Sequence, residues 1–529
     1  MRRRPSTAWS PRWLGEDEVR GISALTRRVC RLDTQRLAAA VLFVAVFAMA
    51  ARVPTDTDVW WHLKAGQMTV ETGRILQTDF FSHTRQGQPW INHSWLTQIL
   101  LYLLFRHGGY LGLGLFQALV ATLAMLLVYR QMEGSVFLRG FIVVLTVITA
   151  AVIWSARPQL LSFLLTALLG YLLYLYKWRG VNRLWLIPPL FVLWVNLHAG
   201  YALGFMLLVG FVAGEVLNNL LAWFTREAPA DPILPWRGVG LVTLIGLLAV
   251  LCLAVNPHTT RMWTYYLDTV GIGALQDLIP EWASPDFHPL YTQPFIWMLL
   301  GTLAVVGLSG RRVDGSDLVL VAGFAYAALL ARRNIGPFAL VTAPVLSRHA
   351  HPIVERWLRA ARARGWLPLP RPPRPPTAPL VLLNWLLLAL ALLAAGVKAY
   401  LPLRAEFNVA YERSTLPLDA IEWLRAERPP ARLFNSYNWG GYLIWHLWPD
   451  YQVFVDGRTD LYGDAVLDEY LRVWRAEPGF QAVFDEYSVN TVLIETGGPA
   501  DNFLALDGSG WTVVYADEIA TIYVRGEAR

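Results

Sequence analysis

Eleven apolar runs, near residues 37–51, 110–129, 136–154, 159–176, 184–197, 199–223, 238–255, 292–309, 317–331, 335–347 and 379–397, constrain this chain more than any other feature. A helix needs about 20 mostly apolar residues to cross roughly 30 Å of hydrocarbon. In that layer every backbone polar group has to be satisfied internally, which a helix does by itself. Composition agrees, because only 16% of the 529 residues are charged, against about 25% in ordinary soluble domains. Too little polar surface remains to face water. Disordered, collagen-like and disulfide-framework chains are excluded on the same grounds, and Cys30 and Cys252 form no framework. The formal charge of +6 would suit nucleic acid on a folded basic domain. Here the basic residues flank apolar runs, so the membrane is the partner and nucleic acid is not.

With the N-terminus cytoplasmic and the runs alternating, the inside connections carry 25 of the 45 Lys and Arg residues. This satisfies the positive-inside trend and puts the C-terminal region outside. The expected fold class is an α-helical polytopic protein of the plasma (inner) membrane with about eleven transmembrane helices. It divides into a basic cytoplasmic tail, 1–36, and a transmembrane domain, 37–347, with a long first outer loop, 52–109. A basic Pro-rich cytoplasmic linker, 348–378, a last span, 379–397, and an extracytoplasmic domain, 398–529, follow. Runs shorten in that last region, and Arg432–Tyr437, Gln452–Asp456, Thr491–Glu495, Trp511–Tyr515 and Ala520–Val524 read as strands. Leu418–Glu427 and Asp464–Arg475 read as helices, which makes a small α/β domain.

Polar chemistry collects in the outer connections. After the first run come Asp56 and Asp58, then Trp60, Trp61 and His62. The segment reads either as an interfacial loop with aromatic anchors or as a general base whose pKa is set by partial burial. His83 and His93 follow before Leu96–Phe105, an apolar stretch too short to span, and both read as structural hydrogen-bonding residues or as ligands. Arg157, His198, Glu281, Arg332 and Arg333 stand at further outer ends. These arginines run against the charge trend, and a guanidinium binds phosphate in a bidentate manner. An anionic substrate is one partner for them; Asp56, Asp58, Glu281 or lipid headgroups are the other. The inside connections carry basic residues and little else, with no carboxylate cluster expected there. Asp456–Asp460 reads as a turn ahead of an acceptor contact.

The order of these motifs resembles that of the GT-C membrane glycosyltransferases, which use polyprenyl-phosphate- or diphosphate-linked sugars. The resemblance covers roughly 37–347. It rests on Asp56–Gly66 with Asp79–Thr84, on Ala156-Arg157-Pro158-Gln159, on Asn196-Leu197-His198-Ala199-Gly200, and on Glu281-Trp282. It implies a GT-C-like fold and transfer of a sugar from a lipid-linked donor to an extracytoplasmic acceptor at the outer face of the membrane. The first-loop acid is then the catalytic base or lies at a metal; the matching positions are Asp56 and Asp58, of which Asp58 is favoured. Arg332 or Arg333, with Arg157, would hold the donor phosphate, and His198, Trp61, His62, His93 and Glu281 would line the substrate site. A divalent metal, Mg or Mn, at Asp56 and Asp58 is compatible but not required, since Arg neutralises the leaving group. Asn438–Tyr442 loosely resembles an oligosaccharyltransferase motif but lacks its acidic residue, so no peptide acceptor is inferred.

Two other classes remain. A multi-pass transporter would carry repeat symmetry and polar residues at the bilayer midplane, whereas these polar residues gather at run ends. A non-catalytic membrane protein whose outer domain binds a partner would leave Asp56 and Asp58 solvated and turned away from Arg157, His198 and Arg332.

Overall fold

The computed structural model describes residues 32–54, 56–225, 231–274, 279–368 and 376–526. Most of the basic tail 1–36, and parts of the 224–237 connection and of the Pro-rich linker, lie outside the described residues.

Each of the eleven apolar runs is helical. Trp95–Tyr129, Val136–Ile153, Gln159–Arg179, Tyr201–Thr225 and Ala378–Tyr400 are long and apolar enough to cross a membrane, and the chain is an integral membrane protein. Thr34–Ala50, Leu184–Leu197, Trp236–Cys252, Gln293–Ser309 and Gly315–Leu330 are apolar but shorter. The eleventh, Ile335–Ala363, runs on through position 348, where the linker was expected to begin. Leu96–Phe105 lies in a helical segment of its own: Gly109, with φ 54° and ψ −145°, is non-helical and separates it from the helix that continues to Tyr129, and the chain turns back so that Gly112 faces the Leu104 carbonyl. Ala378–Tyr400 leaves Leu382, Leu386, Leu390 and Leu393 exposed, as befits a peripheral helix facing lipid.

The bundle end bearing residues 177, 215, 314 and 348 departs from expectation. Lys177 is buried between Glu215 and Asp314, with Ser316 Oγ 2.9 Å from its Nζ, and Arg348 pairs with Asp317 at 2.5 Å. A carboxylate cluster therefore does occur there. Glu215 is about a hundred residues from Asp314 and Asp317, and both cations come from other helices, so only helix packing brings them together.

The C-terminal region forms a four-stranded sheet of order β1-β2-β4-β3: Leu433–Asn435, Thr491–Glu495, Ala520–Arg525 and Trp511–Ala516. β1 and β2 are parallel, with Phe434 opposite Val492; the other pairs are antiparallel. The helix Leu418–Glu427 forms as read, and so does the helix that begins at Asp464, just after non-helical Gly463 with φ 65°, and ends at Trp474 with Arg475 as its cap. Gln452–Asp456, expected as a strand, joins no strand of the sheet. It makes a single parallel bridge from Val453 to Ser82, with Val453 N donating to Phe81 O at 3.0 Å. Alternation marks extended backbone, not the partner it pairs with.

This region shares its interior with the segment after the first helix. Val59, Trp60, Trp61 and Leu63 pack in one core with Ile421, Tyr442, Leu443, Leu493 and Ile522. Arg458 locks the two together. Its Nη1 donates to Asp79 Oδ1 and its Nη2 to Asp456 Oδ2, both at 2.6 Å, and all three side chains are fully buried. Asp79 also accepts from Ser82 Oγ at 2.6 Å, and Tyr462 Oη donates to Asp456 at 2.6 Å. A buried ion pair is weak evidence for net stability, but removing one member strands the other charge. Arg458→Met, which leaves the buried Asp79 and Asp456 without their cation, should therefore cost about 3–5 kcal/mol, read as a lower thermal unfolding midpoint and as earlier proteolytic release of the C-terminal region.

Candidate functional site

A cavity of about 150 Å³ lies between one end of the helical bundle and the C-terminal region, with Asp58, Arg157, His198, Glu281, Arg333 and Asp460 in its walls. Local sequence places each of them. Asp56 Oδ1 accepts from Asp58 N at 3.1 Å, a turn that starts the helix Asp58–Thr72 with an acid in its favourable first turn. Three residues on, Trp61 Nε1 donates to Asp58 Oδ1 at 3.2 Å. Arg157 precedes Pro158, which opens the helix Gln159–Arg179, and His198 caps the helix ending at Leu197.

Arg157 sits at the centre of three carboxylates. Its Nη1 donates to Asp58 Oδ2 at 2.6 Å and its Nη2 to Glu281 Oε1 at 2.7 Å. Its Nε lies 2.8 Å from Asp56 Oδ2, a charge contact without hydrogen-bond geometry. Ser155 Oγ also donates to Asp56 Oδ2, at 3.1 Å. One cation cannot offset burial of so much negative charge. Burial pushes Asp56 up to about 6 and Asp58 above the usual carboxylate range, with Arg157 opposing and Glu281 adding. Glu281 goes the other way: burial raises it, but Arg157, Arg333 and Arg332 together outweigh that and hold it below its ordinary value. The trio does not fit a divalent cation, because the guanidinium already occupies its centre. Among the described residues no group of three or more His, Cys, Asp and Glu is arranged to hold a metal.

The expected residues separate in a way the sequence left open. Arg333 faces the cavity, its guanidinium 4.2 Å from the Trp282 ring centroid, and makes no ion pair among the described residues. Arg332 faces a different groove, beside Tyr291. Arg157, expected to share in holding an anion, is instead held by the carboxylates. Asp56 sits behind Arg157 and is not in the cavity wall. His62, stacked on Trp61 with centroids 3.5 Å apart, lies 3.4 Å from Gln98 Nε2. His198 Nδ1 accepts from Gly200 N at 3.0 Å and contacts Ser162 Oγ at 2.8 Å. The proton of the neutral ring therefore sits on Nε2, available to donate. From Arg333 and His198 an apolar extension runs past Ile153, Phe163, Leu203 and Pro337. His83, by contrast, is structural: its Nε2 lies 3.1 Å from Leu433 O.

Asp460 is missing from the expected site, although its segment read as a turn or an acceptor contact, with the turn preferred. It lines the cavity, and burial raises its carboxyl to about 6. It is hydrogen-bonded to Tyr265, whose hydroxyl lies 2.8 Å from His93 Nδ1. Burial likewise lowers His93, to about 4, so it is neutral near pH 7. Gly457 is the second such residue. A Cβ there would fall on Asp58 Oδ1 and lie 2.7 Å from Asp58 Cγ, so only glycine lets the 456–460 backbone approach the carboxylate.

By sequence, no family model and no curated protein matches the chain. Among solved structures it is similar to the Archaeoglobus fulgidus oligosaccharyltransferase in the apo form, with a TM-score of 0.53 and 12% identity over 88% of this chain and 70% of that one. The same enzyme tethered through a disulfide bond to an acceptor peptide containing the NVT sequon gives a TM-score of 0.51, with 12% identity over 88% and 69% of the two chains. ArnT from Cupriavidus metallidurans bound to undecaprenyl phosphate gives 0.45, with 13% identity over 95% and 98%, below the level at which a common fold follows. The long apolar helices, the C-terminal α/β region and this overlap agree: the chain shares the overall fold of the Archaeoglobus fulgidus oligosaccharyltransferase.

Proposed function

We propose that the chain is a glycosyltransferase that moves a sugar from a polyprenyl-phosphate-linked donor to a hydroxyl acceptor at the outer face of the membrane, with inversion. One observation carries the reading. A single cavity holds a carboxylate of raised pKa, Asp58, and opposite chemistry in Arg333 and His198, with an apolar extension starting at the latter pair. Arg333 and the His198 Nε2–H would bind the donor phosphate, and the prenyl chain would follow Ile153, Phe163 and Leu203. Asp58 would accept the acceptor's proton as its oxygen attacks the anomeric carbon, while the carbon–oxygen bond to phosphate breaks and the electron pair leaves with the lipid phosphate. A charge that grows on the leaving group next to a fixed guanidinium lowers the barrier. The base draws on the same preorganisation, being held by Trp61 and Arg157. The partner-binding alternative expects Asp58 turned away from Arg157, and the 2.6 Å contact speaks against it.

The purified full chain, given labelled polyprenyl-phosphate sugars, should show transfer or donor hydrolysis. Asp58→Asn should lower the rate by about 10²-fold or more, the usual scale for a general base. A variant at wild-type rate removes Asp58 from the role. Arg333→Gln should mainly raise KM for the lipid donor, about tenfold, as loss of a charge-assisted hydrogen bond predicts.

The pH profile has a defined sign. The base works as a carboxylate, so activity should fall as acidification protonates Asp58, which burial raises above the usual carboxylate range, while Asp56 beside it takes up a proton at about 6. Removing a negative neighbour lowers a carboxyl pKa. Glu281→Gln should therefore move the acid limb to lower pH, whatever it does to the maximal rate.

A further inference from the structure

Outside the cavity, Arg52 and Arg332 line a second groove, of about 520 Å³, with Tyr291 and the apolar Ile148, Val152 and Pro294. Arg52 Nη2 donates to the backbone carbonyl oxygens of Ala151, at 2.9 Å, and Trp154. Arg332 Nη1 makes one long bond, 3.4 Å, to Tyr291 Oη. Neither arginine makes an ion pair among the described residues. Asp56, the acid nearest Arg52 in sequence, is turned to Arg157. Lys398 adds a third positive charge beside Arg52, donating to Ala51 O at 2.7 Å. Glu281 feels Arg332 but makes no ion pair with it, and cations grouped at the edge of an apolar wall with no acid in contact are unfavourable unless an anion completes the site.

We propose that this groove binds a lipid phosphate monoester, the phosphate between Arg52, Arg332 and the Tyr291 hydroxyl and the hydrocarbon along Ile148, Val152 and Pro294. Charge selects the monoester. Its two negative charges match two guanidiniums, whereas a phosphodiester lipid headgroup carries one from its phosphate. The groove adjoins the cavity through consecutive residues, Arg332 facing one and Arg333 the other. Its role rests on the proposed transfer reaction, which turns a sugar-bearing lipid phosphodiester into a monoester: the groove would take up the released carrier. Binding itself does not depend on that reaction.

The test is native mass spectrometry of the purified full chain in detergent with farnesyl phosphate, farnesol or phosphatidylglycerol. Wild type should hold two farnesyl phosphates, Arg332→Gln one and Arg52→Gln/Arg332→Gln one, with affinity at the groove reduced about tenfold or more. Arg332→Lys should retain the second molecule, and farnesol should not bind there. Among the described residues the Arg332 side chain hydrogen-bonds only Tyr291, and its backbone bond to Ala283 survives substitution, so the single variant decides even where loss of Arg52 impairs folding. The proposal is overturned if Arg332→Gln still holds two molecules at wild-type affinity, or if phosphatidylglycerol displaces farnesyl phosphate from the groove equally well. Arg333→Gln should hold one molecule, in the groove. If Arg333→Gln holds two while Arg332→Gln holds one, the groove stands and the donor contact proposed for Arg333 falls.

Discussion

The guanidinium of Arg157, shared by Asp56, Asp58 and Glu281, is the interaction on which the rest of this structure depends. The three acids come from two connections that are remote in sequence, and the cation from a third. Brought together without Arg157 they would repel one another in a partly dehydrated space. With it, three carboxylates and one guanidinium still leave the quartet two positive charges short of neutrality. That deficit, added to burial, is why Asp56 and Asp58 titrate high. A carboxylate held by a cation yet raised in pKa can take a proton without losing its position.

A second guanidinium repeats the device one layer away. Arg458 joins Asp79, from the segment after the first helix, to Asp456, from the C-terminal region. Between the two arginines lies Gly457, pressed against Asp58. The C-terminal region is therefore a wall of the cavity, sharing a core with Trp60 and Trp61 and contributing Asp460. Arg458 holds the wall to the earlier segment, and Arg157 holds the carboxylate that the wall faces.

How much of this was legible depends on the range of the interaction. Hydropathy is local, so all eleven apolar helices could be read from runs of sequence, although run length does not tell which are long enough to span. The strands Thr491–Glu495 and Ala520–Arg525 were readable because alternation is local too. Gln452–Asp456 was misread because its partner, Ser82, is some 370 positions away. Arg332 and Arg333 were chemically equivalent in sequence; the short turn Arg332–Asn334 between two helices sends one to each cavity. Lys177 gave no sign of its buried acids, since Glu215 and Asp314 sit on other helices.

What the sequence determined by itself was the chemistry available at each helix end: scarce charge in the runs, and Asp, Arg and His in one set of connections. Those are properties of residue type and spacing, and solvent transfer free energies act on them before any fold exists. What only the tertiary structure decided was which charges meet. Arg157 was a candidate to hold an anion until the fold surrounded it with three acids; Arg333 faces the same cavity with no ion pair among the described residues. Electrostatic roles depend on distance and burial, and both are set by packing between segments that the chain order keeps apart.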